Sequence, residues 1–130
     1  MTPLRELTIE RTLTQADFDA FARLSGDANP IHVDSAFAAR SRFGRTVSHG
    51  VLLYSILHSL IERLAPGTRQ LRQHVTFPAP TFADQPMRFT ARIVTSAADG
   101  IGFEIEAVRI ADGTVTCVGD SLVETSGRAR

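Results

Sequence analysis

Cysteine is scarce in this chain. Among 130 residues there is one, Cys117, so no disulfide can form within the chain. No Cys/His cluster has the spacing of a zinc site either. A reducing, cytoplasmic setting is the expectation. Cys117 falls in a β-patterned segment, where a free thiol serves as a small apolar filler rather than a nucleophile. Charge of one sign is missing too: 14 Lys and Arg face 14 Asp and Glu. A nucleic-acid-binding surface would carry a basic surplus. A local basic spot for a phosphorylated tail is still compatible with neutrality. No apolar run approaches the roughly 20 residues that cross a bilayer, so no membrane partner is expected. The opening segment Met1-Thr2-Pro3-Leu4-Arg5-Glu6 is interrupted by charge and lacks the apolar stretch of a signal peptide. The length suggests one domain over 1–130, large enough to bury a core without staples.

What is present is concentrated in Ser25-Gly26-Asp27-Ala28-Asn29-Pro30-Ile31-His32. A helical pattern stops at Gly26. Pro30 is expected to keep a new helix from starting at once, because the residue before a proline is pushed toward extended geometry. Between the two breakers sit an acid, an amide and an imidazole. Asp27 and His32 converge only if the backbone bends, and the Gly and Pro supply the bend. A carboxylate and an imidazole facing one small volume are what acid–base work on a bound water requires. The same residue types also make ordinary turns, since Asp and Asn bond their own backbone.

The rest of the chain frames that segment. Leu4–Leu13 alternates as a first strand. Thr14 reads as an N-cap with Asp17 three residues on, and Phe18, Phe21, Ala22 and Ser25 follow at helical spacing. Asp34 caps a short helix through Ser35–Arg42 that Gly44 ends. Gly50–Leu64 is the longest helical pattern, with a broad apolar face and a narrower polar stripe that includes Tyr54, Ser55, His58 and Ser59. His58 and Glu62 stand at i, i+4, the spacing of a surface pair. Pro66 and Gly67 end this helix. Four strands follow, Arg69–Phe77, Pro86–Ala97, Ile101–Ala111 and Thr114–Thr125, joined mostly by tight turns such as Asp112-Gly113. Gly127–Arg130 reads as a frayed end. Strand, helices and then a run of strands predict an α+β fold with an antiparallel sheet and helices on one face.

Phe21 through Asp34, then Phe43-Gly44-Arg45, then Ser48-His49-Gly50, closely resemble the MaoC-like, (R)-specific enoyl-CoA hydratase family. The resemblance extends more weakly over most of the chain. It implies a hotdog fold, a curved antiparallel sheet wrapped around a long central helix. It implies reversible addition of water to a trans-2-enoyl thioester, giving an (R)-3-hydroxyacyl product. Asp27 and His32 match the catalytic pair, with Asp27 as base and His32 as its partner in proton transfer. Gly50 matches the backbone N–H that receives charge on the thioester oxygen. Asn29, Ser48, His49, Tyr54, His58 and Arg45 are the candidate substrate contacts. Arg40, Arg42 and Arg45 cluster, either as solvated charge or as partners for the phosphates of coenzyme A. No metal or redox cofactor is implied: coenzyme A belongs to the substrate and water is the co-substrate. The family relationship also implies a homodimer, or a higher oligomer of dimers. Two departures stand out. His58 takes a place where relatives often carry a small hydroxyl residue, and Ala83 precedes Asp84 where the family commonly has Gly.

Other functions fit parts of the pattern. A hotdog thioesterase does not need Asp-x-Asn-Pro-x-His. A non-catalytic acyl-thioester-binding subunit need not keep both Asp27 and His32. Branched, dicarboxylic, aromatic or carrier-bound acyl groups fit the motif as well as a simple acyl-CoA does.

Overall fold

Local chemistry sets the element boundaries. A computed structural model describes residues 5–125. Its elements are β1 (Glu6–Thr12), α1 (Gln15–Ser25), α2 (Pro30–Val33), α3 (Ser35–Ala39), α4 (Gly50–Leu64), β2 (Arg69–Thr76), β3 (Pro86–Ala97), β4 (Gly100–Arg109) and β5 (Val115–Glu124). The expected frayed end at Gly127–Arg130 lies outside the described residues. At the start of α1 the Thr14 hydroxyl accepts from the Asp17 N–H at 3.2 Å, and the Asp17 carboxylate accepts from the Thr14 N–H at 2.8 Å. This reciprocal box satisfies two N–H groups that a helix start leaves open. At the other end Gly26 takes φ +82 and donates to the Ala22 carbonyl at 2.9 Å, a left-handed cap that glycine tolerates without penalty.

Two helix boundaries differ from the sequence reading, while the strand ends differ by a residue or two. Pro30 does not delay the next helix; it opens α2 as its first residue. At that position the missing N–H costs nothing, and proline's φ is already helical. The restriction acts one residue earlier: Asn29 is extended at ψ 130, and its side chain accepts from the Ile31 N–H at 3.1 Å. The helix α3 stops at Ala39 rather than Arg42. Bonds from Arg40 N–H to the Phe37 carbonyl and from Ser41 N–H to the Ala38 carbonyl tighten its last turn. Gly44, at φ +78, lies beyond that end and turns the chain toward Arg45.

The five strands form one antiparallel sheet in the order β1-β3-β4-β5-β2. Tight turns join β3 to β4 and β4 to β5. They do not join β2 to β3: these strands are not neighbours, and the chain crosses the sheet through residues 77–85. In the β4–β5 turn Gly113 holds φ +73, and the Arg109 guanidinium beside Asp112 holds that carboxyl down at about 2.

The helix α4 lies across one face of this sheet. Leu53, Leu57, Leu60 and Ile61 are buried against Met87, Phe89, Phe103, Ile105 and Val123. Each such side chain contributes roughly 1.5–3 kcal/mol relative to exposure. Cys117 belongs to this core, and burial pushes its thiol up to about 11. No helix among the described residues is long and apolar enough to cross a membrane.

At Gly119 a side chain has no room, because an added Cβ would fall on the His74 carbonyl oxygen and 2.9 Å from the Val75 Cα. Gly119→Ala should therefore destabilise by about 2–3 kcal/mol, as overpacking against backbone does. Gly113→Ala meets nothing within 4 Å and should lose only the left-handed penalty of about 1–2 kcal/mol. Urea unfolding of the two variants checks the order.

Candidate active site

The site is built by short-range bonds along one bend. Ser25 Oγ accepts from the Asp27 N–H at 3.1 Å, Asp27 Oδ1 accepts from the Asn29 N–H at 3.2 Å, and Asn29 Oδ1 accepts from the Ile31 N–H at 3.1 Å. Each side chain steadies the residue two places on, which is the Asx and Ser turn chemistry of these residue types. The ladder ends where α2 begins and sets His32 one turn into the helix. Asp27 Oδ2 then lies 4.0 Å from His32 Nε2, with the Asp27 side chain 56% exposed and that of His32 14% exposed.

His32 is oriented from its other nitrogen. Its Nδ1 is 2.8 Å from the Val47 carbonyl oxygen. A carbonyl only accepts, so in the neutral ring Nδ1 carries the proton and Nε2 presents a lone pair on the Asp27 side. Val47 also donates its N–H to the Ile31 carbonyl at 3.1 Å, so one residue grips α2 at two points. His49 is buried, and its Nε2 is 2.8 Å from the Asp27 carbonyl oxygen. By the same logic its proton sits on Nε2. The His49 ring stacks on His32 at 3.9 Å between centroids and tilts 25°, and Phe21 packs on the His49 ring at 4.8 Å. His49 therefore steadies the backbone of Asp27 and the plane of His32 together.

Asp27, His32 and His49 bring three ligand-type atoms within 4.8 Å of one another. Of these atoms, His49 Nε2 is already engaged by the Asp27 carbonyl oxygen at 2.8 Å.

Gly50 is the first residue of α4, where helical N–H groups have no intrahelical acceptor. Its own N–H has no acceptor among the described residues. The positive end of the helix dipole adds to its pull on negative charge. Phe77 lies over it so closely that an added Cβ would sit 2.7 Å from the ring. Gly50 and Val51 are shared by two cavities. The smaller, about 180 Å³, is walled by Asp27, His32, His49 and Phe21. The larger, about 480 Å³, runs past Leu53, Phe77, Pro80 and Thr81 and has Arg42 and Phe43 in its lining.

The other candidates are spread more widely. Asn29 caps α2. Ser48 bonds the His49 carbonyl at 2.9 Å and lines the larger cavity. Arg45 lies on the Phe82 ring at 4.1 Å, and Arg42, not Arg45, lines the larger cavity. Tyr54 and His58 stand further along α4; His58 contacts Tyr54 instead of Glu62, whose carboxylate accepts from the Gly67 N–H at 3.0 Å. The sequence reading missed Val47, whose contribution is a backbone carbonyl and leaves no trace in residue type. It also missed Gln15, whose amide bonds the His32 carbonyl at 2.9 Å, Asp19 at 3.0 Å and the Thr46 hydroxyl at 2.6 Å. A polar side chain at the first position of α1 was its only signal.

A family model described as "MaoC like domain" matches residues 3–116. The chain belongs to the MaoC-like domain family. Over 84 residues it is 39% identical to an (R)-specific enoyl-CoA hydratase of Aeromonas caviae, covering 63% of this chain and 61% of that protein. Over 125 residues it is 30% identical to 3-hydroxyacyl-thioester dehydratase Z of Mycobacterium tuberculosis, covering 92% of this chain and 76% of that one. A 3-hydroxybutyryl-CoA dehydratase of Methylorubrum extorquens is 34% identical over 74 residues, 55% of this chain and 47% of that protein. Alignments to two of these three MaoC-like relatives thus span less than two thirds of the relative's length. Among solved structures, the (R)-hydratase from A. caviae superposes with a TM-score of 0.85 at 27% identity, covering 95% of this chain and 96% of that one. The ChsH1-ChsH2 complex of M. tuberculosis matches at a TM-score of 0.84 with 11% identity, a likeness of fold alone. The MaoC-like chain has the hotdog fold.

The Gln15 clamp is testable by stability. Gln15→Leu leaves the buried Thr46 hydroxyl and the His32 carbonyl without their partner, which should cost about 1–3 kcal/mol. Thr46→Val added to Gln15→Leu should cost less than the sum of the two single changes, because both remove one bond. Additive losses in chemical denaturation would show that the Gln15–Thr46 bond carries no energy.

Proposed function

We propose that this MaoC-like chain adds water reversibly across a trans-2-enoyl thioester to give the (R)-3-hydroxyacyl thioester. The observation that carries this reading is the pair of proton acceptors at 4.0 Å, Asp27 Oδ2 and His32 Nε2. They are too far apart to bond each other and both lie within about 2.8 Å of a single water placed between them. Such a water donates one hydrogen to each and keeps its lone pairs for the β carbon.

In the forward step the water oxygen bonds the β carbon, and the π pair moves through the α carbon onto the thioester oxygen. The proton lost by the water passes to the pair, with Asp27 as the base and His32 as its partner, and returns to the α carbon as the enolate collapses. Dehydration is the same path in reverse. The Gly50 N–H at the head of α4 receives the charge on oxygen. Such preorganised donors supply a large part of the rate in acyl chemistry. With the β carbon in the smaller cavity and the oxygen at Gly50, the thiol side of the ester leaves through the larger cavity toward Arg42, a guanidinium suited to phosphate.

The chain is proposed to act as a pair of copies. The strand β2 is a sheet edge, and Leu71, Phe77 and Val118 expose apolar surface on or beside it. An apolar sheet edge of this kind is normally covered.

Mixing the protein with crotonyl-CoA and following ultraviolet loss of conjugation tests the chemistry, with chiral analysis of the product. We expect (R)-3-hydroxybutyryl-CoA, and a fall of at least about 100-fold in kcat for Asp27→Asn and for His32→Gln, as loss of acid–base groups gives. Release of free thiol without hydroxyacyl product would replace this reading with a thioesterase. Tight binding with no turnover would point to a binding subunit.

A further inference from the structure

The Phe77 ring stands beside the proposed oxyanion donor without a part in the chemistry. Phe77 follows the last residue of β2 and precedes Pro78, so its backbone is pressed toward extended geometry. Its ring reaches back over the first residue of α4. A Cβ built on Gly50 would stand 2.7 Å from Phe77 Cζ, 2.9 Å from Cε2 and 3.0 Å from Cε1, and these are the three atoms nearest to it. The far end of the ring therefore rests on the Gly50 Cα. The glycines with positive φ are Gly26, Gly44, Gly67 and Gly113, and Gly50 is not among them. Its backbone would accept a larger residue, so the ring is what keeps a side chain away. The rest of the ring surface is open, since Phe77 is 45% exposed.

The ring lies on one side of Gly50. Phe77 lines the larger cavity with Gly50, Val51 and Leu53, whereas the smaller cavity shares Gly50 and Val51 but not Phe77. With the reacting carbons in the smaller cavity and the thiol half in the larger one, the ring faces the sulfur and the first methylene groups beyond it. It does not face the acyl chain. An aromatic ring offers a polarizable sulfur a favourable surface. It also offers no hydrogen bond that could hold a water beside the Gly50 N–H. A donor open to water is screened, and the same donor in a dry, low-dielectric place pulls far harder on a developing oxyanion.

We infer that Phe77 is the cover of the oxyanion position: its ring packs on the sulfur side of the bound thioester and keeps water from the Gly50 N–H. This inference rests on the hydratase reading only for the placement of the thioester oxygen at Gly50. Residue 50 is a glycine so that the ring can close over it. The two residues act as one unit. A side chain at position 50 pushes the ring away, and loss of the ring bares the same N–H.

The wild-type protein, Gly50→Ala, Phe77→Ala and the double variant test this as a cycle, because alanine keeps the N–H at position 50. With crotonyl-CoA each single change should lower kcat about tenfold, less than the roughly 100-fold that removal of an oxyanion donor costs. The double variant should be no slower than the slower single one, because both changes remove one cover. Phe77→Leu keeps apolar bulk and should recover most of the loss. The same factors should appear with trans-2-octenoyl-CoA, since the ring does not meet the acyl chain. Losses that multiply in the double variant would overturn the inference, as would a Phe77→Ala effect confined to one acyl length. A second readout needs no turnover: the infrared carbonyl band of bound butyryl-CoA, labelled with carbon-13 at the carbonyl. It should move to lower frequency on wild-type protein, and Phe77→Ala should lose most of that displacement. A band that stays displaced in Phe77→Ala would contradict the cover. If that variant also falls apart into single copies in sedimentation, the ring belongs to an interface between copies and the inference fails. If wild-type protein leaves crotonyl-CoA unchanged but the band behaves as expected, the hydratase reading is wrong and the cover stands.

Discussion

The site of this MaoC-like chain depends on one hydrogen bond, from His32 Nδ1 to the Val47 carbonyl oxygen at 2.8 Å. It decides the tautomer, and the tautomer decides that a lone pair rather than a proton faces Asp27. Everything around the bond keeps it in place. Val47 returns an N–H to Ile31, Ser48 bonds the Thr81 carbonyl at 2.8 Å, and Val47 bridges to Phe82. The short piece of chain before α4 is thus wedged between α2 and the segment that crosses from β2 to β3. The crossing looks like a mere connection in the topology, yet it supplies one wall of the site.

The sheet and the site share α4 but use different parts of it. The interior of the helix spends its Leu and Ile on the core. Its first residue spends an unpaired N–H on the site and has no side chain, because the Phe77 ring occupies that space. Its flank toward β2 carries polar residues that neither task requires. This division lets one 15-residue helix hold the fold together and still offer, at its first residue, the N–H proposed to meet the thioester oxygen.

The parts of the fold written in local chemistry were legible in the sequence. Thr14 with Asp17, Gly26 as a left-handed cap, the span Gly50–Leu64 and the alternation of Met87, Phe89 and Ala91 each follow from residue type and spacing. The errors arose where the answer is positional or distant. Pro30 breaks a helix in its interior but starts one at its first position, and residue type alone does not say which applies. The separation of β2 from β3 depends on strand pairing across the whole sheet, which no turn signal encodes. In the site, the approach of Asp27 and His32 was foreseeable from the bend between them. The Val47 carbonyl and the Gln15 clamp were not, since one is backbone and the other acts over 17 and 31 residues of chain.

The most direct test of this account is the protonation pattern of the two stacked histidines, read from imidazole nitrogen-15 shifts at a pH where both rings are neutral. The account predicts His32 protonated on Nδ1 with Nε2 bare, and His49 protonated on Nε2 with Nδ1 bare. If His32 instead carries its proton on Nε2, it faces Asp27 as a donor. A water between them would then accept from His32 and donate to Asp27 alone, and the proposed activation by two acceptors would be contradicted at its first step.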